Sequence, residues 1–416
     1  MPESSREERQ RKITGQRFFG EIEQEALRLK ERDDYLPEFN YFLDLLIEGQ
    51  DPTILAQRTG RPVAALMCLQ APLEIFHACG IQPFKIYGGS QVATRLSSPL
   101  LPPVMCPMLR SALGTLMLGA KEGLPFKIFV APTTCDWVVK LDELLSLCSI
   151  NSPCPIHRLE LPHLKDRPES QERWLEEIYG LTKFLLAEMG IKKLRPQDLR
   201  KSMDIYQKAW KLYSRLMDLK REGLISFSWF LVVANSFFYA DVEEWTEKLK
   251  ILVAAFKTNG KAPRGPKVFV AGSPMFFPNL KMARVIEAAG LVVVMDDLCS
   301  SERLFPGAVF YDDYSLHGLI KALAQRYHQG CLCPTFADND RRVNNIIAPA
   351  HKKLYKGVIF HVLKGCHPFD LESLSLEARL KDEGLKFLKL ETDYTAEDSQ
   401  TLLTRLEAFR SALTDD

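Results

Sequence analysis

Apolar positions recur at helical spacing along the first sixty residues. Phe18, Ile22, Ala26 and Leu29 share one face, and Tyr41 to Leu46 resume the pattern after Pro37. From Pro62 the texture changes. Val63 to Leu69 is a short continuous apolar run of buried-strand type, with Cys68 inside it, followed by a helix-like stretch to Gly80 and then Phe84 to Tyr87. Phe126 to Ala131 reads as another buried strand and Thr133 to Leu147 as a helix. Strands alternating with helices predict a parallel sheet covered on both faces. Residues 170–260 carry long amphipathic helices, such as Arg173 to Met189 and Lys201 to Arg221, and Lys261-Ala-Pro-Arg-Gly-Pro266 reads as a boundary. A second alternating module follows. Its strands are Lys267–Ala271, Leu291–Met295, Gly357–Leu363 and Lys386–Leu390; its helices are Asn279–Ala289, Ser315–Tyr327, Leu371–Glu383 and a last one from Ala396 onwards. The expected division is therefore a helical segment over 1–60, an α/β domain over 61–170, a helical region over 171–262 and a second α/β domain over 263–416. The two α/β modules read as candidate copies of one unit, without strong internal identity.

With 416 residues, 46% of them hydrophobic, the chain can bury more than one core. Its 54 basic and 53 acidic residues nearly cancel, which argues against the concentrated basic surface that nucleic acid requires. No stretch reaches the length of a membrane span, and Met1 to Lys12 is polar with no apolar run behind it, unlike a signal peptide. A soluble, cytoplasmic protein is the expectation. Ten cysteines then need a reason. Cytoplasmic disulfides are disfavoured, which leaves buried thiols, metal ligands or reactive thiols. Neither paired CxxC modules nor CxxC with HxxxH is present, so any shared ligand must be gripped by cysteines from distant parts of the chain.

Three cysteines fall just after predicted strands: Cys135 after Phe126–Ala131, Cys299 after Leu291–Met295, and Cys366 after Gly357–Leu363. Ligands of open parallel sheets bind outside the carboxyl ends of the strands. Thiolate sulfur suits zinc or iron–sulfur clusters, and three thiolates can hold a cubane with one iron left open. The plainer reading is that each is an incidental loop thiol. Cys106 precedes a helix whose N-terminus favours the thiolate. Cys331 and Cys333, between Gly330 and Pro334, form either a ligand loop or a turn. Cys68, Cys79 and Cys148 read as core thiols and Cys154, between prolines, as structural. His367, beside Cys366, is a candidate proton donor, whereas His361 reads as a core histidine. Asp136 and Asp297 read as helix caps or acceptors behind ligand cysteines, and Arg303 as a charge partner or a surface residue. Ser273 sits in a turn after a strand.

At these residues the chain resembles the 2-hydroxyacyl-CoA dehydratase and benzoyl-CoA reductase family. The matching segments are Thr133-Thr-Cys-Asp136, Gly272-Ser-Pro274 with Lys281, Ile286-Glu-Ala-Ala-Gly290, Asp296-Asp-Leu-Cys299 with Arg303, and Arg326-Tyr327 ahead of Cys331. They continue through Gly357-Val-Ile-Phe-His361, Lys364-Gly-Cys-His-Pro-Phe-Asp370, Glu391-Thr-Asp-Tyr394 and Arg405-Leu-Glu-Ala-Phe409. The resemblance covers the chain from about residue 60 onwards, weakest in the helical insert. It implies two Rossmann-like parallel-sheet domains with an oxygen-sensitive [4Fe–4S]-type cluster held by Cys135, Cys299 and Cys366. It also implies a separate ATP-hydrolysing iron–sulfur activator as electron donor, consistent with the lack of a phosphate-binding P-loop in the sequence. Resemblance is greatest to the homodimeric branch with an [8Fe–9S] double cubane, whose roughly six thiolates would here include Cys106, Cys331 and Cys333. The implied function is reduction of small substrates. The alternative is a single-cubane subunit of a 2-hydroxyacyl-CoA dehydratase or benzoyl-CoA reductase, paired with a paralogous subunit. A cluster- or zinc-stabilised binding protein without catalysis is a third class.

Overall fold

The computed structural model describes residues 5–119, 126–148, 150, 154–259 and 265–414. Residues 261–264 of the expected boundary, the extreme N-terminus and the last two residues lie outside the described residues.

The described strands form two four-stranded sheets, parallel throughout. The first contains β1 (Val63–Leu66), β2 (Gln82–Lys85), β3 (Phe126–Pro132) and β4 (Ile156–Leu159) in the order β2-β1-β3-β4. The second contains β5 (Lys267–Gly272), β6 (Val292–Asp296), β7 (Gly357–Leu363) and β8 (Lys386–Thr392) in the order β6-β5-β7-β8. The fold is thus the expected α/β architecture with two Rossmann-like sheets. The strand order is the same in both, each with its first strand in the middle, which supports reading them as one unit used twice.

The sequence explains the central strands directly. All seven residues of β7 are buried, as a parallel strand covered on both faces requires. The edge strand β4 was not foreseen: only Leu159 is fully buried, and neighbouring prolines give the segment the texture of a loop. The helix expected over Thr133–Leu147 is two short ones, Asp136–Val139 and Leu141–Leu147, with Cys135 left outside as the cap of the first. Between the sheets, the helix Pro196–Glu222 buries Leu199, Met203, Tyr206, Ala209, Tyr213, Leu216 and Lys220 at three- and four-residue intervals. The helix Phe227–Ser236 is buried on every side, and Trp229 stacks on Phe39 with ring centroids 4.1 Å apart. This tethers the N-terminal helices to the core. No helix among the described residues is long and apolar enough to cross a membrane.

The carboxyl ends of the two sheets meet. Tyr394, after β8, donates its hydroxyl to the Gly88 carbonyl after β2 at 2.5 Å. Thr335 donates to the Thr134 carbonyl after β3 at 2.7 Å. Gly365, after β7, holds φ at +77°, and a Cβ there would strike the Val104 carbonyl. Only glycine combines that backbone angle with so close an approach.

Candidate cysteine-lined site

Strand ends at this junction set the cysteines. Cys135 follows β3, Cys299 follows β6, and Cys366 follows β7 as the cap of the helix His367–Asp382. Cys106 is buried immediately before the helix Pro107–Gly119. Cys331 and Cys333 lie in the loop after the helix Leu316–Gln329. The expectation that Cys68 packs inside a strand is corrected here. β1 ends at Leu66, and Cys68 turns out of the sheet with a φ of +137°. Its thiol donates to the Gln70 side-chain oxygen at 2.5 Å, and the same amide donates to the Cys331 sulfur at 3.1 Å. Cys79 and Cys148 are buried at helix C-termini, and Cys154 is buried just before β4.

Electrostatics sorts seven of the ten thiols into two groups. Burial pushes Cys68 and Cys299 up to about 12; Cys333 and Cys299 add to the rise at Cys68, and Cys333 and Cys331 to that at Cys299. Cys331 is raised by burial, then by Cys333, and also by Cys68. Every pairing among these four is thus felt by at least one of Cys68, Cys299 and Cys331. In the second group, burial raises Cys106 to about 11 and Cys366 to about 12. Cys135 adds to the rise at Cys106, and Cys106 and Cys135 add to that at Cys366. Cys135, itself raised by burial, also feels Cys333, the link between the groups. Thiols buried and crowded in this way resist ionisation, and any bound cation would have to displace their protons.

Charged and polar side chains back the first group. Lys85, buried at the end of β2, donates its ammonium to the Cys68 carbonyl. Burial lowers its pKa to about 7 against the opposing pull of Cys68, Cys299 and Cys331. Lys165 donates to the Cys331 carbonyl and lies 3.9 Å from the Phe336 ring centroid. Arg303, which the sequence left between charge partner and surface residue, is buried; it donates to the carbonyls of Leu332 and Asp297 and pairs with the Asp297 carboxylate at 2.7 Å. Burial opposes its charge, but Asp297, Cys299, Cys333 and Cys331 more than offset that and raise its pKa. Asp297 also pairs with buried Arg342 at 2.5 Å, so it is an ion-pair partner rather than a helix cap. Tyr87 stacks on Phe276, with centroids 4.0 Å apart. Its phenol oxygen is buried without a hydrogen-bond partner, and burial, then Cys68 and Cys299, raise its pKa.

The second group has a different setting. Ser273 is fully buried, accepts from the Leu363 amide at 3.0 Å and hydrogen-bonds Cys366. His361 is a core histidine, its Nδ1 3.0 Å from the Ser273 carbonyl. His367 is exposed on the first turn after Cys366. Asp136 opens the short helix after Cys135.

Sequence reasoning brought together Cys106, Cys135, Cys299, Cys331, Cys333 and Cys366 but missed Cys68, Lys85, Lys165 and Tyr87. Lys85 carried a signal: it is the lone charge in an apolar strand that runs into Gly88-Gly89. Among the described residues no three Cys, His, Asp or Glu side chains close on one point as ligands of a single ion would. Seven thiols spread over several loops fit a polynuclear cluster, which takes its thiolates on different irons.

A family model described as 2-hydroxyglutaryl-CoA dehydratase, D-component, matches residues 68–413. The chain belongs to this family of 2-hydroxyacyl-CoA dehydratase and benzoyl-CoA reductase subunits. It is 25% identical to YjiM of Escherichia coli (strain K12), provisionally named a dehydratase subunit, over 84% of this chain and 91% of that one. It is 22% identical to the (R)-phenyllactyl-CoA dehydratase beta subunit of Clostridium sporogenes, over 90% and 98% of the two chains. A benzoyl-CoA reductase subunit of Thauera aromatica is 23% identical, over 79% and 84%.

Proposed function

We propose that this chain is an iron–sulfur reductase subunit that holds a double-cubane [8Fe–9S]-type cluster where its two sheets meet. It would receive low-potential electrons from an ATP-hydrolysing iron–sulfur activator and reduce small substrates, as an oxygen-sensitive, cytoplasmic homodimer. The observation that carries the reading is the convergence of seven thiols in two groups, Cys68, Cys299, Cys331 and Cys333 against Cys106, Cys135 and Cys366. Two groups of at least three soft donors suit two joined cubanes better than one. The residue division 1–60, 61–170, 171–262 and 263–416 belongs to the same proposal.

When bound, such a cluster supplies one-electron transfer at low potential. The chain's own residues do the rest. Gln70 ties Cys68 to Cys331, Ser273 orients Cys366, and Arg303 with Asp297 fixes the loops of Cys299 and Cys331–Cys333. The buried, unpartnered Tyr87 hydroxyl is a donor for a substrate or cluster atom on the Cys68 side. His367 stays a proton-donor candidate at the exposed edge.

A second reading is favoured by the names of the relatives, several of them beta subunits of dehydratases. It makes this chain a single-cubane subunit of a 2-hydroxyacyl-CoA dehydratase or benzoyl-CoA reductase, paired with a paralogous subunit. Iron and acid-labile sulfide counted per chain after anaerobic purification separate the two. About eight irons per chain support the double cubane, about four support the single cubane, and none refutes both. Cys68→Ser discriminates further: it should lower the iron count on the first reading and leave about four on the second.

A further inference from the structure

The two thiol groups differ in the charge around them. On the Cys68 side, Lys85 donates to the Cys68 carbonyl and Lys165 to the Cys331 carbonyl, from different parts of the chain. Lys85 is 2% exposed and Lys165 9%, so solvent screens neither fully. Arg303 and Arg342 stand on the same side, but Asp297 and Glu372 pair with them and cancel their charge. Beside Lys165, Asp166 and Arg341 offset one another, and no carboxylate among the described residues acts on Lys85, so the two lysines remain as the excess. On the other side Cys106 has Arg110 in the helix that follows it, and Cys135 has Asp136 beside it, a cation and an anion that offset one another.

We infer that Lys85 and Lys165 are positioning residues that make the Cys68–Cys299–Cys331–Cys333 half of the site electropositive, so that an added electron is held on that half. The inference rests on the cluster reading above and deepens it by giving the site a direction. A one-electron donor of low potential gives up one electron and is oxidised by one. The electron is more stable beside two buried ammonium groups than beside a balanced pair, because a nearby cation lowers the energy of added negative charge and low dielectric strengthens the effect. Each lysine also holds a cysteine-bearing loop through its main chain, so charge and geometry come from the same side chain. The electron is thereby kept on the half whose Cys68, Cys299 and Cys333 act on the unpartnered Tyr87 hydroxyl.

The test uses the full-length protein, purified without oxygen. Lys85→Met and Lys165→Met remove charge while keeping an extended side chain; Lys85→Arg and Lys165→Arg keep the charge; Arg110→Met is the comparison on the other half. Iron and sulfide per chain are counted first, and the midpoint potential is then read by electron paramagnetic resonance during titration with a titanium(III) reductant. The expected result is that at least one Met variant retains iron and shows a clearly lower midpoint potential. The Arg variants should return to the wild-type value, and Arg110→Met should move it less. An unmoved midpoint in an iron-replete Met variant overturns the inference, as does a larger shift in Arg110→Met. Loss of iron from both Met variants would make the lysines loop anchors alone and also overturns it. Wild-type protein without iron would instead sink the cluster reading itself, an outcome told apart at the first measurement.

Discussion

Replacing Lys220 with Met tests what holds the end of β6, and hence Cys299, in place. Lys220 lies on the helix Pro196–Glu222 with its side chain fully buried, and its ammonium pairs with Asp296 and, at 2.7 Å, with Glu302. Asp296 ends β6 three residues before Cys299, and Glu302 lies three residues after it. Removing one member of a buried ion group strands charge in low dielectric, at a typical cost of about 3–5 kcal/mol. Two features place this site at the lower end. Asp296 keeps the Leu298 amide at 2.9 Å and the Ser301 hydroxyl at 2.6 Å, so its carboxylate is not left bare. Burial and the adjacent Asp296 already hold Glu302 above the usual carboxylate range, so it can take up a proton. The ammonium also lies 4.3 Å from the Phe230 ring centroid, and a thioether recovers part of that contact. We expect a loss of about 3 kcal/mol, seen as a lower urea midpoint at unchanged slope in the metal-free chain. Adding Glu302→Gln to Lys220→Met should restore about 1 kcal/mol or more, because it removes one of the stranded carboxylates. A single-variant loss below about 1 kcal/mol, or a double variant weaker than the single one, would show that this cluster does not brace the strand.

Gly365→Ala should cost about 1–2 kcal/mol through its left-handed backbone alone and more through the Val104 carbonyl. Iron content should fall while the far-ultraviolet dichroism stays native; full iron retention would refute the close approach of the Cys366 and Cys106 loops. Burial lowers the His361 pKa to about 4. The folded chain then binds fewer protons than the unfolded one below about pH 6.5, and stability should fall as pH drops from there towards 4, with about 3 kcal/mol as the upper size of this histidine's share. His361→Gln should flatten that limb in pH-dependent unfolding, and an unchanged slope would assign it to other groups. At equal iron content Tyr87→Phe should depress substrate turnover more than His367→Gln, because the phenol is buried without a partner and the imidazole is exposed; the opposite order would return the donor role to the histidine.

Much of this fold is legible in the sequence because parallel strands buried on both faces announce themselves. Gly357–Leu363 and Lys267–Gly272 are β-branched and aromatic runs bounded by turn residues, and both lie where the pattern put them, to within a residue. Cys68 marks the limit of that legibility. An apolar run does not mark where pairing stops, and Met67, Cys68 and Leu69 extend the texture of β1 after its strand has ended. The left-handed backbone at Cys68 is set by tertiary packing, and nothing in the residue type proclaims it. Lys165 was invisible for a related reason, and Lys85 showed only as a lone charge in an apolar strand: a lysine is buried only when the rest of the chain supplies its partners, and those partners are main-chain carbonyls of other loops.

The partition of the thiols lies beyond any reading of strand ends. The rule that ligands gather at carboxyl ends explains why Cys135, Cys299 and Cys366 converge, but it treats the sheets as equivalent. The strand orders are indeed equivalent, and Cys135 and Cys366 occupy matching places after the third strand of each. The remaining cysteines break the correspondence. Cys68 from the first sheet joins Cys299, Cys331 and Cys333 from the second, while Cys366 from the second joins Cys106 and Cys135 from the first. Neither half of the chain carries a complete group. Each set of thiols exists only when the two sheets close on each other, which makes the Tyr394–Gly88 and Gly365–Val104 contacts as necessary to the site as the cysteines themselves.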